Sequence, residues 1–307
     1  MIVPGEAPAP RGNGMNQPRT EKTAFVLAGG GSLGAVQVGM LKALNHARIT
    51  PDFIVGVSVG AINAAYYAAA PDEAGIARLE RIWLELRRRD IFPFTTLSTL
   101  LCLFGRRDFL ALPGQLRALV TLKLPYRNLE DAVLPCHVIA TDALDGKEVI
   151  LSSGEAVSAL LASAAIPAVF PTVLIEGRPL MDGGIASYTP ISAAVALGAT
   201  RVVILPTGTP CALHEPPRGA LAIALHAINL LAMRQLLADV DRFSGRCELI
   251  VVPPLCPLAI NTYDFSHTAE LIYRAEKAAS HWLQDGLQGL QGKDPHTLLE
   301  PHSHRKG

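Results

Sequence analysis

The residues most able to do chemistry are Gly56-Val57-Ser58-Val59-Gly60. A serine inside Gly-x-Ser-x-Gly, with an apolar run before it and a helix former after it, suits a strained turn that projects the hydroxyl while small neighbours avoid a clash. Such a serine also sits at a helix N-terminus. An ordinary glycine turn is the competing reading. A nucleophile needs a place for negative charge, and Gly29, Gly30 and Gly31 offer backbone N–H groups without side chains at the mouth of another helix. They are the candidate oxyanion hole. Gly29, Gly31 and Gly34 also satisfy G-x-G-x-x-G, the dinucleotide fingerprint, with Asp52 at about the right distance. Placement argues against that oxidoreductase reading. The acidic residue of such a unit ends its strand, whereas Asp52 precedes a strand whose end carries Gly56 and Ser58.

Serine is a poor nucleophile until a base takes its proton. Asp182, in Met181-Asp182-Gly183-Gly184, is the best-placed carboxylate, since its two glycines let the loop approach another backbone closely. It would also serve as a turn or helix-capping residue. A conventional triad runs Ser, acid, His along the chain. His214, His226 and His267 come late enough for that order, with Asp142 as a candidate acid, but none of the three histidines lies in a distinctive loop.

The order Gly29-Gly30-Gly31-Ser32-Leu33-Gly34, then the serine motif, then Met181 to Gly184 resembles the patatin-like phospholipase family. The resemblance extends to Ala165–Pro171 and Thr262–Ile272, so it spans Thr23 to about Ile272. It implies a patatin-like three-layer α/β/α fold and a Ser58–Asp182 dyad without histidine. It further implies an oxyanion hole at Gly29, Gly30 and Gly31, and hydrolysis of acyl esters of lipids through an acyl-enzyme, with neither metal nor cofactor. Ser32, Gly34, Gly56, Gly60, Gly183 and Gly184 become motif-supporting residues. The chain departs from many relatives in having Leu33 in place of Arg, and from plant members in having Ala28 in place of Asp. An acyltransferase that excludes water from the same intermediate is the alternative within the family.

The elements around these motifs read as α/β. Thr23–Ala28 and Asp52–Gly56 are apolar strands that each run into a glycine loop and then a helix, over Ala35–Ala47 and Ala61–Ala70. Two strand-loop-helix units in succession imply a parallel sheet. Further strands are expected at Cys136–Thr141, Lys147–Leu151, Arg201–Pro206 and Glu248–Val252. Asp145-Gly146 and Glu176-Gly177 lie between apolar runs as hairpin turns, predicting an antiparallel edge. Gly198 ends a helix begun near Pro190, and Gly219–Met233 reads as a core helix.

One hydrolase domain over 21–288 is expected between disordered tails at 1–20 and 289–307. Ile91–Tyr126 breaks the strand-helix rhythm and reads as an insertion. Its segment Ile91–Phe104, flanked by Arg87, Arg88, Arg89 and by Arg106, Arg107, is expected to form a lid or a membrane-surface patch over an acyl pocket. A partly buried cap helix is the alternative.

Half of the 307 residues are apolar, enough for a substantial core. Lys plus Arg and Asp plus Glu balance at 27 each, which excludes a global field that recruits nucleic acid. Five scattered cysteines without a CxxC pair suggest neither disulfides nor zinc. The charge-free stretches between Asp90 and Arg106 and between Arg218 and Arg234 fall short of the roughly 20 residues of a spanning helix, and Met1–Thr20 lacks the apolar run of a signal peptide. The expectation is a cytoplasmic protein that takes a lipid or ester substrate and touches the membrane peripherally.

Overall fold

The computed structural model describes residues 21–91, 109, 111, 114–207, 219–256, 258, 264–285 and 298–299. The first tail, most of the expected lid (92–104), Arg106, Arg107 and His214 lie outside them. The strands are β1 (Thr23–Leu27), β2 (Phe53–Val57), β3 (Cys136–Asp142), β4 (Glu148–Leu151), β5 (Val173–Ile175), β6 (Arg178–Asp182), β7 (Arg201–Leu205) and β8 (Glu248–Val251). They form one sheet in the order β5-β6-β3-β2-β1-β7-β8, with β4 paired to β3. Pairs among β3, β2, β1, β7 and β8 are parallel, and those of β4, β5 and β6 are antiparallel. The mostly parallel α/β sheet and its antiparallel edge are therefore as expected.

Period-two alternation divides the core between the sheet faces. Phe25, Leu27, Ile54, Val203 and Leu205 pack under α1 (Ala35–His46), α2 (Val59–Ala69), α3 (Glu73–Glu85) and α9 (Thr268–Asp285). Ala24, Val26, Phe53, Val55, Val57, Val202 and Ile204 pack on the other face under α7 (Ile191–Ala196) and the end of α8 (Ala220–Phe243). The short α4 (Arg88–Ile91) follows α3, while α5 (Gly114–Lys123) and α6 (Ala156–Ser163) complete the first layer. β1, β2 and β7 are buried on both faces, which explains why they read as unbroken apolar runs.

Both hairpin turns are present. Glu176 and Gly177 adopt φ 50° and 78° between β5 and β6, and Gly146 adopts φ 73° between β3 and β4. Gly198 follows α7 at φ 93°. Asp182 is the last residue of β6, in the hairpin's second strand, and its glycine loop begins at Gly183. Gly219–Met233 opens the longer α8; of its described side chains, Ile223, Leu230 and Leu231 are exposed and Ala232 is buried. Within 289–307, Leu298 and Leu299 are described, and Leu299 is buried against the second core. From the insertion, α5 buries Leu116 and Val120.

Candidate active site

The serine is held by the turn between β2 and α2. Ser58 adopts φ 54°, ψ −125°, a conformation L-residues rarely hold, and is the N-cap of α2. The turn is tight: a Cβ on Gly60 would stand 2.3 Å from the Leu27 carbonyl oxygen, and one on Gly56 2.4 Å from that of Gly60. The Ser58 N–H donates to Ser163 Oγ at 2.8 Å, and the Ser163 hydroxyl donates to the Ile139 carbonyl at 2.6 Å. That chain pins the turn to β3.

Asp182 arrives by register. β2 pairs with β3 up to Val57 opposite Ile139, while β6 runs antiparallel along β3 and ends with Asp182 opposite Ala140. β4 holds the other edge of β3 over these same residues, so β2 and β6 share one edge and meet tip to tip. The outcome is a hydrogen bond of 2.7 Å from Ser58 Oγ to Asp182 Oδ2. The Gly184 N–H donates to Asp182 Oδ1 at 2.8 Å, and the Thr141 hydroxyl donates to the Asp182 carbonyl at 2.9 Å. Gly183 passes so close to β3 that a Cβ there would lie 2.2 Å from the Ile139 carbonyl oxygen. Burial raises the Asp182 pKa to about 6, against the lowering effect of its hydrogen bonds from Ser58 and Gly184.

The glycine loop follows β1, the neighbour of β2. Its Gly29 N–H donates to the Tyr188 carbonyl at 3.1 Å, so that group is engaged in the fold, a difference from the expected threefold set of oxyanion donors. The N–H groups of Gly30 and Gly31 donate to no acceptor among the described residues. Thr207 Oγ1 donates to the Gly29 carbonyl and fills the space a side chain on Gly30 would need. Ser32 is buried, and Gly34 lies against Val59 and Trp83.

A polar network beneath the loop escaped the sequence reading. Trp83 Nε1 donates to Asn63 Oδ1 at 2.8 Å, and Asn63 Nδ2 donates to Gln37 Oε1 at 2.8 Å and to the Gly34 carbonyl at 2.9 Å. Gln37 Nε2 donates to the carbonyls of Ala28 and Leu205 at 2.9 and 3.0 Å. Gln37 and Asn63 are wholly buried. Two amides at core-facing positions of otherwise apolar helices were the available signal.

The other candidates lie elsewhere. Asp52 Oδ2 accepts from the Thr23 N–H at 2.7 Å, at the opposite end of β1 from the glycine loop. Asp142 is bound to Arg178 at 2.9 Å, and the Leu144 N–H and this guanidinium hold its pKa below the usual carboxylate range. His267 is exposed and pairs with Glu270 at 3.2 Å. His226 is half-buried on α8. Among the described residues no histidine is hydrogen-bonded to Ser58 or Asp182.

Ser58 and Gly31 open onto a cavity whose walls are otherwise apolar apart from the Tyr66 ring: Ile62, Leu79 and Trp83 on one side, Leu116 and Leu119 from α5, and Phe170 and Phe265. The insertion thus supplies part of the cavity wall through Ile91, Leu116 and Leu119.

The family model described as Patatin-like phospholipase matches residues 25–195, a span that includes both Ser58 and Asp182. Patatin-like phospholipase domain-containing protein 7 of Rattus norvegicus is 28% identical over 189 residues, covering 61% of this chain and 14% of that protein. Neuropathy target esterase sws of Drosophila melanogaster is 25% identical over 188 residues, covering 60% and 13%. The chain thus spans only a small part of the length of these relatives. Among solved structures, VipD from Legionella pneumophila aligns over 87% of this chain and 67% of its own, at 14% identity and a TM-score of 0.41. ExoU in its complex with SpcU from Pseudomonas aeruginosa aligns over 89% and 53%, at 15% and 0.39.

Proposed function

The chain belongs to the patatin-like phospholipase family, and from that premise we infer that it is a lipid acyl hydrolase working through a Ser58–Asp182 dyad. The observation that carries this reading is the 2.7 Å hydrogen bond from Ser58 Oγ to Asp182 Oδ2 at the mouth of an apolar cavity. Asp182 takes the hydroxyl proton as Ser58 Oγ attacks the ester carbonyl carbon. The carbonyl oxygen becomes an oxyanion and is met by the N–H groups of Gly30 and Gly31, preorganised by Thr207 and by the start of the helical turn at Gly31. Collapse breaks the bond to the alcohol, which leaves with the proton from Asp182. Water, activated by the same carboxylate, then releases the acid and restores Ser58.

Two features support carboxylate catalysis without an imidazole. Burial brings the Asp182 pKa to about 6, nearer to neutral pH and so to useful basicity than that of an exposed aspartate. The Gly184 N–H orients Oδ1, leaving Oδ2 for the serine. The cavity favours a long acyl group, since each methylene it shelters contributes up to about 0.8 kcal/mol.

Burst kinetics on a short-chain p-nitrophenyl ester test the dyad. Ser58→Ala and Asp182→Asn are expected to lose turnover by about 1000-fold or more, with circular dichroism unchanged and His267→Ala as active as the parent. An active Asp182→Asn together with an inactive His267→Ala would replace the dyad by a triad. An added alcohol acceptor distinguishes hydrolysis from acyl transfer, because transfer moves the acyl group onto the acceptor.

A further inference from the structure

Helix α8 is about 36 Å long, and its C-terminal half packs on the second core. Ala232, Leu236, Val240 and Phe243 face the sheet and are buried. Gln235 fixes the height of the helix relative to the site: its Nε2 donates to the Ala186 carbonyl at 2.5 Å, and its Oε1 accepts from the Tyr188 N–H at 3.4 Å. These loop residues follow Asp182, and the Tyr188 carbonyl accepts from Gly29. The chain leaves α8 at the far edge of the sheet, where Glu248 of β8 pairs with Arg201. The helix before Gln235 therefore runs toward the edge of the sheet that carries Ser58.

The stripe opposite the buried face changes character at that level. Going up from the site it carries Leu231, Leu230, Ala227 and Ile223, all exposed, with the three large side chains 65%, 54% and 53% accessible. Going down, the same stripe carries Arg234, Ala238 and Asp241, also exposed. The spacing of 223, 227, 230, 231 and 234 is that of one helical face. Ile185, in the turn directly after Asp182, is 42% exposed and adds to the apolar side. The segment Gly219–Ala238 contains no acidic residue, and its single Lys or Arg is Arg234, at the boundary.

We propose that this half of α8, with Ile185, is the surface by which the protein seats on a lipid bilayer, with the mouth of the active site at the water boundary. An apolar-to-charged switch at one height along one helix face is what a planar interface selects, and a cation at headgroup level suits anionic phosphates. Leu230 and Leu231 stand five and four residues before Gln235, about 6–8 Å along the axis, and Ile223 about 18 Å, so a helix tilted toward the membrane plane keeps the stripe within the roughly 5–10 Å to which interfacial helices sink. No helix among the described residues is long and apolar enough to cross a membrane, so α8 lies at the surface rather than spanning it. The proposal rests on the hydrolase reading for its purpose: esters drawn from the bilayer meet Ser58 without crossing water.

Sedimentation with phosphatidylcholine–phosphatidylglycerol vesicles tests it, using the full chain with Ser58→Ala so that no lipid is consumed. The double variant Leu230→Glu/Leu231→Glu is expected to weaken binding by about tenfold or more. Ala238→Glu, on the same stripe but below the boundary, keeps it, and Arg234→Gln reduces the salt-sensitive part. On the Ser58-containing background the double variant hydrolyses a soluble short ester at the parent rate and loses activity on vesicles. Unchanged vesicle binding by the double variant overturns the proposal. So does a parent that never binds vesicles but is a dimer in light scattering that the double variant makes monomeric, which would assign the face to a second copy. Vesicle binding without esterase activity on any ester retains the docking surface and removes the hydrolase reading; the reverse pattern does the opposite.

Discussion

At the residue scale the consequential fact is the burial of Asp182, which is 7% exposed. Its pKa is raised to about 6, so the native state binds the proton more tightly than the unfolded chain, where the value is about 3.9. Stability from this group is therefore fully present below about pH 4 and is lost as pH rises through about 6. A shift of about two units corresponds to about 3 kcal/mol. Two outcomes are expected. First, kcat/KM should fall about tenfold per unit below about pH 6, as the base becomes protonated, which a pH–rate profile reads. Second, Asp182→Asn should be more stable than the parent by up to about 3 kcal/mol at pH 8, and equal to it near pH 4. Urea titrations at the two pH values measure this; a less stable variant at pH 8 would contradict a carboxylate held in its disfavoured form. The site would then be one more case of function maintained at a cost in stability.

At the scale of elements, the Gly30–Gly31 loop depends on contacts that begin far from it. α1 contributes Gln37, α2 contributes Asn63 and α3 contributes Trp83, and together they hold the carbonyls at the ends of β1 and β7. Replacing Gln37 by Met keeps the volume but strands buried groups on both sides of it. The expected cost is about 2–4 kcal/mol in urea unfolding, with a fall in kcat larger than any change in KM because the loop and not the acyl cavity is disturbed. A variant that loses stability yet keeps full kcat would show that the loop does not need this support. Ser163 plays a similar part for the serine turn, since it bridges the Ser58 N–H to β3.

For the whole molecule, the apolar cavity beside Ser58 lies between elements and belongs to no single one. α2, α3, α4 and α5 enclose it with the loop after α6, and Phe265 ahead of α9 adds to its wall. Ile62, one turn after Ser58, lines it close to the nucleophile. Ile62→Trp should shorten the chains accepted: kcat/KM for decanoyl esters is expected to fall about tenfold or more, with acetyl esters little changed, given about 0.8 kcal/mol for each methylene displaced. A series of p-nitrophenyl esters of increasing length reads this directly. Equal losses across the series would place the acyl chain elsewhere.

What was legible in the residues was everything governed by local rules. Apolar runs that meet glycines marked β1 and β2, the pairs Asp145-Gly146 and Glu176-Gly177 marked their hairpins, and Gly56 to Gly60 marked a turn too tight for side chains. These depend on backbone sterics and short-range periodicity, which a sequence carries explicitly. Only the fold decided which carboxylate faces the serine. The residues offered Asp182 as the base and Asp142 as the acid of a triad; strand register along β3 brings Asp182 to Ser58 across 124 positions of sequence, while Asp142 is bound to Arg178. The same holds for the engaged Gly29 N–H and for the exposed outer face of α8 at Ile223, Leu230 and Leu231, whose composition suits a core. Hydrogen-bond partners and burial are properties of long-range packing, and an apolar helix has no local mark that says whether its outer face meets protein, water or lipid.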